Sequence, residues 1–353
     1  MLPKVYIILL NYKLWKDTIE CLESLFRLEY PNFQVVVVDN PTNPHNNSLA
    51  NIQQWARGEL VIDFSNSPLQ HLVCPPVSKP IEVMTIQEKE VDILPKFNEN
   101  TKKPQLILIQ AQENRGFAVG NNIAIRYCLQ QNDFDYIWIL NNDTVVEKEA
   151  LTHLVATYEA NKHTKLGILG GKVRYYHFPD TLQCAAGATY NKWLAYGKQI
   201  GTGQKDKGQF DNTNFRFDLV IGACMFVSKH FIEKVGLLGE DYFLYFEEQD
   251  WAERAKRAGF RLGYTHKAVI YHKEGSTVGG NQLNIKAISK LSDFYYARSK
   301  ILFTRKFHQG LCLFTVYLSF GIVLFNRLIR GQYDRIRMIL GVMLNPKKMY
   351  ENS

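Results

Sequence analysis

A chain of 353 residues with 46% hydrophobic, 22% charged and 13% aromatic residues has the make-up of a folded protein, which excludes a disordered or low-complexity one. The net charge of +8 is concentrated at one end: residues 281–353 carry 12 Lys/Arg against 3 Asp/Glu, and the rest is close to neutral. Nucleic acid is therefore not an expected partner, since that calls for a basic patch on the folded domain; positive charge beside an apolar run favours an anionic lipid surface instead.

The first six apolar residues, Val5 to Leu10, read as a buried strand and are too few for a signal peptide's apolar region with its cleavage site. Asp17 starts a helix with Glu20 at capping-box spacing, and Ile19, Leu22, Leu25 and Phe26 form its apolar face. Val35 to Val38 is a second strand covered on both faces, so the chain opens with a β-α-β unit and a right-handed crossover. Residues 60–104, with Pro68, Pro75, Pro76, Pro80, Pro95 and Pro104, read as an insertion between core strands, either a lid or a loop without a role. A strand at 106–109, a helix at 121–131, a strand at 136–140 and a helix at 148–160 repeat the alternation of an α/β nucleotide-binding fold.

Short strands and helices continue to about residue 275, and 285–309 reads as amphipathic and basic. Residues 311–325 hold no charge, yet they fall short of the roughly 20 residues a membrane span needs. With Arg327, Arg330, Arg335 and Arg337 behind it, this run fits an interfacial or re-entrant helix, with packing on the protein's own core and a true span as the alternatives. Cys21, Cys74, Cys128, Cys184, Cys224 and Cys312 are too scattered for a disulfide framework or a zinc site, and point to a reducing compartment.

Five places carry chemistry. Asp39 ends the second strand, at the edge where open α/β sheets bind ligands, although such a residue also serves as a turn former. The segment Glu113 to Asn122 has Gly116 and Gly120 for close backbone approach, Arg115 for a diphosphate, and a helix start suited to an anion; its blander reading is a helix entry capped by asparagine. Asn141-Asn142-Asp143 closes the strand at 136–140, where Asp143 can hold a divalent cation or simply cap the next helix. Glu247, Glu248 and Asp250 follow an aromatic run, which raises carboxylate pKa values as a general base requires; Asp250 can also cap a helix at 251–258 and pair with Arg254. His272 ends a short strand and offers a second ligand to the cation, or is an ordinary satisfied histidine.

In this order, Ile8 to Tyr12, Val37 to Asn40, Asn114 to Asn122, Leu140 to Thr144, Gly222 to Met225, Phe243 to Asp250 and His272 resemble the inverting glycosyltransferases of family 2, nearest to the rhamnosyltransferase-like branch that builds bacterial surface polysaccharides. The resemblance covers about residues 4–278 apart from 60–104. It implies a GT-A fold, a Rossmann-like, mainly parallel mixed sheet between helices, over residues 1–280, with 281–353 as a basic, apolar helical tail that associates with a membrane. It implies that Asn11, Asp39, Asn114, Arg115, Gly116, Asn121, Asn141 and Asn142 bind the donor, a UDP- or dTDP-sugar. It also implies that Asp143 and His272 hold Mg²⁺ or Mn²⁺, and that the base is Glu248 or Glu247, with Asp250 third.

Asn141 stands where many relatives have Asp, and Glu248 replaces a commoner Asp. The expected partners are a saccharide or lipid-linked acceptor and a membrane surface, and the expected location is the cytoplasmic, inner face of the cell membrane. Two rivals differ in class. A sugar-nucleotide nucleotidyltransferase would carry a glycine-rich, lysine-containing loop where Asn11-Tyr12-Lys13 stands, and a non-catalytic binding protein would not need the carboxylates at 247–250.

Overall fold

The computed structural model describes residues 2–41, 47–97, 103–211, 215–274 and 289–350. The expected boundary at 280 and the start of the 285–309 segment lie outside them, as do residues 98–102 of the expected insertion.

In chain order the elements are β1 (Val5–Asn11), α1 (Trp15–Leu25), β2 (Phe33–Asp39), α2 (Ser48–Arg57), α3 (Gln70–Val73), β3 (Val83–Gln87), β4 (Leu106–Gln110), α4 (Phe117–Gln131), β5 (Tyr136–Asn141), β6 (Thr144–Val146) and α5 (Ala150–Asn161). Then come β7 (Leu166–Tyr175), β8 (Phe178–Ala185), β9 (Gly187–Asn191), β10 (Tyr196–Gln199), β11 (Leu219–Val220), β12 (Cys224–Ser228), α6 (Lys229–Val235), α7 (Glu247–Arg257), β13 (Arg261–His272), α8 (Lys290–Phe307), α9 (Leu311–Ile329) and α10 (Tyr333–Leu344).

The main sheet runs β3-β4-β2-β1-β5-β12-β7-β13-β6, with β8 joined to β7; a small sheet runs β10-β9-β11. Strands β1 to β5 pair parallel, whereas β12 lies antiparallel to both β5 and β7. The valine run shows why this sheet is central. Val35 and Val37 enter the core on one face while Val36 and Val38 enter the core on the other, so every side chain of the run is removed from water. This is the mainly parallel α/β architecture expected from the alternation of apolar strands and helices.

Register places the functional edge. Asn11 lies beside Asp39, and Leu10 lies beside Asn141, so three parallel strands end together. Helix α4 crosses behind this edge. Gly120 permits its close approach, because a Cβ there would meet Leu10 Cδ1 at 2.4 Å.

Several elements differ from expectation. The 60–104 segment contributes β3, a parallel edge strand on β4, half exposed and therefore without the apolar signature of a buried strand. Helix α4 begins at Phe117, not 121, since its first turn is built around the glycine that the packing on β1 demands. Helix α7 begins at Glu247, so Asp250 lies within its first turn and does not cap a helix at 251–258. Asp17 likewise lies in the first turn of α1 and makes no capping bond; its carboxylate accepts from Lys273 at 2.5 Å.

The C-terminal helices are not held apart from the α/β body. Tyr242 and Phe246 share one apolar cluster with Phe294, Tyr295 and Phe303 of α8. The expected amphipathic, basic face of α8 is half sunk: Arg305 and Lys306 stay exposed, whereas Arg298 donates to the carbonyls of Lys348 and Asp241, and Lys300 donates to Ser319 Oγ at 3.0 Å.

Candidate active site

A cavity of about 210 Å³ opens at the carboxyl ends of β1, β2 and β5. Asn114, Gly116, Asn141, Asn142, Asp143 and His272 line it, together with Tyr12, Asn40, Phe117, Phe243, Leu244 and Leu291. Six expected site residues thus converge from three separate segments.

The loop before α4 shapes one wall. Asn114 Oδ1 accepts from the Gly116 backbone N–H at 3.0 Å and from Asn40 Nδ2 at 3.1 Å. Gly116 has φ of 95°, and a Cβ on it would meet the Phe243 carbonyl oxygen at 2.1 Å; Phe117 N–H donates to that same oxygen at 3.0 Å. Any side chain at 116 would push the Phe243 loop off the pocket.

Asn11 and Asp39 stand behind the wall, not on it. Asp39 is fully buried, and its carboxylate accepts from Asn11 Nδ2 at 2.5 Å and from Gln110 Nε2 at 3.4 Å. Burial raises its pKa, opposed by those two bonds. Asn11 Oδ1 in turn accepts from Thr18, and Asn142 donates to Thr18 at 2.9 Å. Arg115 turns away and pairs with Glu88, just past the edge strand β3. Asn121 bonds back to the Phe117 carbonyl within its own helix.

Asp143 and His272 meet on the opposite wall. His272 ends β13, which pairs with β6, so that His272 lies beside Thr144. Its Nε2 is 3.0 Å from Asp143 Oδ1, and its Nδ1 donates to Gln183 Oε1 at 2.9 Å. Nε2 also meets Asn141 Nδ2 at 3.2 Å. Burial lowers the imidazole's pKa, but the Asp143 charge and bond outweigh it and the net shift is upward, so either a proton on Nε2 donating to Asp143 or a cation between the two satisfies this contact. An imidazole nitrogen and a carboxylate oxygen, the former oriented by an amide behind it, suit a divalent cation in their chemistry. Among the described residues no group of three or more His, Cys, Asp or Glu surrounds this point, so a cation here would complete its shell with ligand oxygens or water. Lys273 fastens the end of β13 by donating to Asp17 and Glu20 of α1.

The acidic cluster divides its roles by geometry. A Cβ on Gly222 would meet Phe117 Cζ at 3.6 Å and Glu248 Oε1 at 3.9 Å, so Glu248 stands near Phe117 of the pocket wall without itself lining the cavity. Burial raises its pKa. Glu247 is 2% exposed, and its Oε1 has no hydrogen-bond partner among the described residues. Its pKa is raised well above the glutamate range, first by burial and then by the Glu248 charge. Asp250 faces away and is fully engaged, accepting from Arg254 at 2.5 Å and Tyr242 at 3.1 Å and pairing with Lys306 at 2.8 Å.

The turn that aims Glu247 and Glu248 is strained, with Tyr245 and Phe246 both left-handed at φ of 68° and 72°. Phe246 is held by the rings of Tyr296 and Phe303, and Tyr245 by a hydroxyl contact to Ser292. Helix α8 therefore supports the turn, a role the sequence did not advertise because its signal is aromatic spacing alone. Tyr12, Asn40 and Phe117 lay within recognised segments; Leu291 and Gln183 carried no motif.

Residues 72–287 match the family model described as Glycosyltransferase like family 2, and the chain belongs to that family. It is 23% identical over 232 residues to the dTDP-rhamnosyl transferase RfbF of Shigella flexneri, covering 65% of this chain and 73% of that protein. It is 26% identical over 166 residues to the low-salt glycan biosynthesis hexosyltransferase Agl10 of Haloferax volcanii, covering 47% of this chain. The match spans about half of the latter's length, 51%. Among solved structures, the mannosyltransferase PcManGT of Pyrobaculum calidifontis, in complex with GDP-Man and Mn²⁺, superposes with a TM-score of 0.51 at 14% identity, over 99% of this chain and 89% of that one. That likeness is one of fold.

Proposed function

We propose that this chain transfers a hexosyl unit, with inversion, from a UDP- or dTDP-sugar to a hydroxyl of a saccharide or lipid-linked acceptor, at the inner face of the cell membrane. The observation that carries this reading is the cavity at the strand ends, where the Asp143–His272 pair stands with Asn114, Asn141 and Asn142; Glu248, near Phe117 of the cavity wall, supplies the carboxylate. Its relatives' names, a rhamnosyl transferase and a hexosyltransferase, support the donor class.

Asp143 and His272 would hold Mg²⁺ or Mn²⁺, which when bound supplies positive charge against the leaving nucleoside diphosphate. Asn114, Gly116, Asn141 and Asn142 shape the donor pocket, while Asp39 and Asn11 act as positioning residues that fix the ends of β1 and β2. Glu248 takes the acceptor hydroxyl proton as that oxygen bonds to the anomeric carbon and the bond from this carbon to the phosphate oxygen breaks. Phe117, Phe243 and Leu244 exclude water from the reacting centre. A single base beside a single displacement gives inversion. Residues 1–280 form the catalytic domain in this reading, and residues 281–353 bring it to the membrane.

The test combines thermal shift with nucleoside diphosphate release for UDP-, dTDP- and GDP-sugars, each with and without Mn²⁺. A donor at about 100 times its dissociation constant adds roughly 2.7 kcal/mol of stability. A metal-dependent rise for one nucleotide class, with release of the diphosphate, is the expected result; no shift with any donor in the presence of Mn²⁺ overturns the reading. Release of pyrophosphate from a nucleoside triphosphate and a sugar phosphate would instead identify a nucleotidyltransferase.

A further inference from the structure

We propose that the catalytic body itself touches the bilayer: the β9–β10 hairpin and the outer face of α9 form one surface that lies on an anionic lipid leaflet. This deepens the membrane-surface reading above and rests on it, but it assigns lipid contact to the β9–β10 hairpin, which lies well ahead of the tail in the chain.

Helix α9 has two unlike sides. Cys312, Val316 and Phe320 recur at every fourth residue and are buried, while Leu311, Phe314, Leu318, Ile322, Phe325 and Ile329 face outward, each about 60% exposed or more. The helix has 19 residues and a mean hydropathy of 1.8, enough by length to cross a bilayer. Its inner stripe is nevertheless sealed on the protein, and Lys300 donates to Ser319 at 3.0 Å from beneath. A helix fixed lengthwise to a folded body lies along the membrane and does not cross it.

The hairpin extends the same surface. Thr315 Oγ1 donates to the Trp193 carbonyl at 2.7 Å, and Thr315 lies one turn from both Leu311 and Leu318 on α9. At the hairpin tip Trp193, Leu194 and Tyr196 are 43%, 47% and 55% exposed. Trp193 and Leu194 are not loose, since both backbone N–H groups donate to Asn191 Oδ1. Exposed Trp and Tyr beside an aliphatic stripe are the side chains that favour the headgroup boundary.

Charge selects lipid over a second copy. Residues 289–350 hold 11 Lys/Arg and 2 Asp/Glu. Both acids are engaged internally, Asp293 with Arg327 and Arg335, and Asp334 with Lys290. Lys192 on the hairpin and Arg330 at the end of α9 are exposed, as are Arg337 and Lys347 further along the tail. Two such faces would bring like charges together, whereas an anionic leaflet is complementary.

The test uses the full chain with vesicles of phosphatidylcholine and phosphatidylglycerol at a ratio of roughly two to one, and with phosphatidylcholine alone. Sedimentation should show binding to the anionic vesicles, and the double variant Trp193→Ser/Leu194→Ser should bind about tenfold more weakly. Phe314→Ser/Leu318→Ser should do the same, and Trp193→Phe should retain binding. The donor-induced thermal shift, measured without vesicles, should be unchanged in every variant; this readout also proves that they fold. Hairpin variants that sediment like the parent chain overturn the proposal. So does a dimer in vesicle-free solution that these variants dissociate, since the face is then a contact between copies. Loss of vesicle binding by the parent chain with its donor shift intact would overturn the lipid surface and leave the transferase reading standing.

Discussion

Tyr295 on α8 stacks on Phe243, with ring centroids 4.4 Å apart and planes 17° from parallel. Phe243 lines the pocket, and its carbonyl accepts from Phe117 at the start of α4. One ring from the tail therefore braces the loop that joins the two walls of the site. Tyr295→Ala should cost about 3 kcal/mol of stability, as buried aromatic truncations do. Because the braced loop touches the donor pocket, KM for the donor should rise more than kcat falls. Thermal melts together with steady-state kinetics check both halves.

Asp143 and His272 are expected to fail together. Asp143→Asn keeps the shape of the side chain but removes the charge, and His272→Ala removes the nitrogen. Each should lower turnover by about two to three orders of magnitude, the scale of losing one preorganised electrostatic contact or more. The Mn²⁺ dependence of the donor-induced thermal shift should vanish in both. The double variant should be little worse than either single variant, since both act through one unit. Additive losses would show that the two residues serve separate purposes.

The three carboxylates of α7 separate by experiment. Glu248→Gln should drop kcat by about 10² to 10⁴ with donor binding retained, as expected for loss of a general base. Asp250→Asn should mainly destabilise, by about 1 to 3 kcal/mol, because it removes the buried charge that Arg254 and Tyr242 bind, while Lys306 keeps Asp241. Glu247→Gln addresses pH. Its folded-state pKa is raised by burial and by the Glu248 charge, so the folded chain retains a proton that the unfolded chain releases near 4.3. The folded state then binds more protons, and stability falls as pH rises from that value through the raised one. Glu247→Gln should make the decline of Tm as pH rises above about 4.3 shallower.

Much of this site was legible because strand ends announce themselves: an apolar β-branched run closed by Asn11, Asp39 or Asn141 puts polar side chains at one sheet edge. Local sequence could not say which of these side chains reach the pocket. Arg115 looks placed for a diphosphate, yet Glu88 claims it from a turn after β3 that is 27 residues away in the chain. Strand β3 itself was hidden because an edge strand with one wet face carries a weak apolar signal. The burial of α8 was equally hidden. Arg298 and Lys300 lie in a segment that reads as amphipathic and basic, and the arrival of α9 and of the segment at 348 covers them.

Lys300 turns that burial into a measurement. Its amine is packed beneath α9, 5.1 Å from the centroid of Phe320, and desolvation lowers its pKa to about 8. The unfolded chain holds the same proton to about 10.4. Between those values the unfolded state binds more protons, so this group's contribution to stability rises with pH across the window. Below pH 8 the ionised amine costs about 3 kcal/mol, at 1.36 kcal/mol per pK unit. Lys300→Met keeps the aliphatic stem and removes the charge, so it should raise Tm at pH 7 despite losing the bond to Ser319. The gain over the parent chain should shrink steadily as pH approaches 10, the upper end of about the same window. Comparing the two proteins at each pH cancels the titration of every other group. A gain that is constant with pH would mean that Lys300 is not the desolvated amine this packing describes.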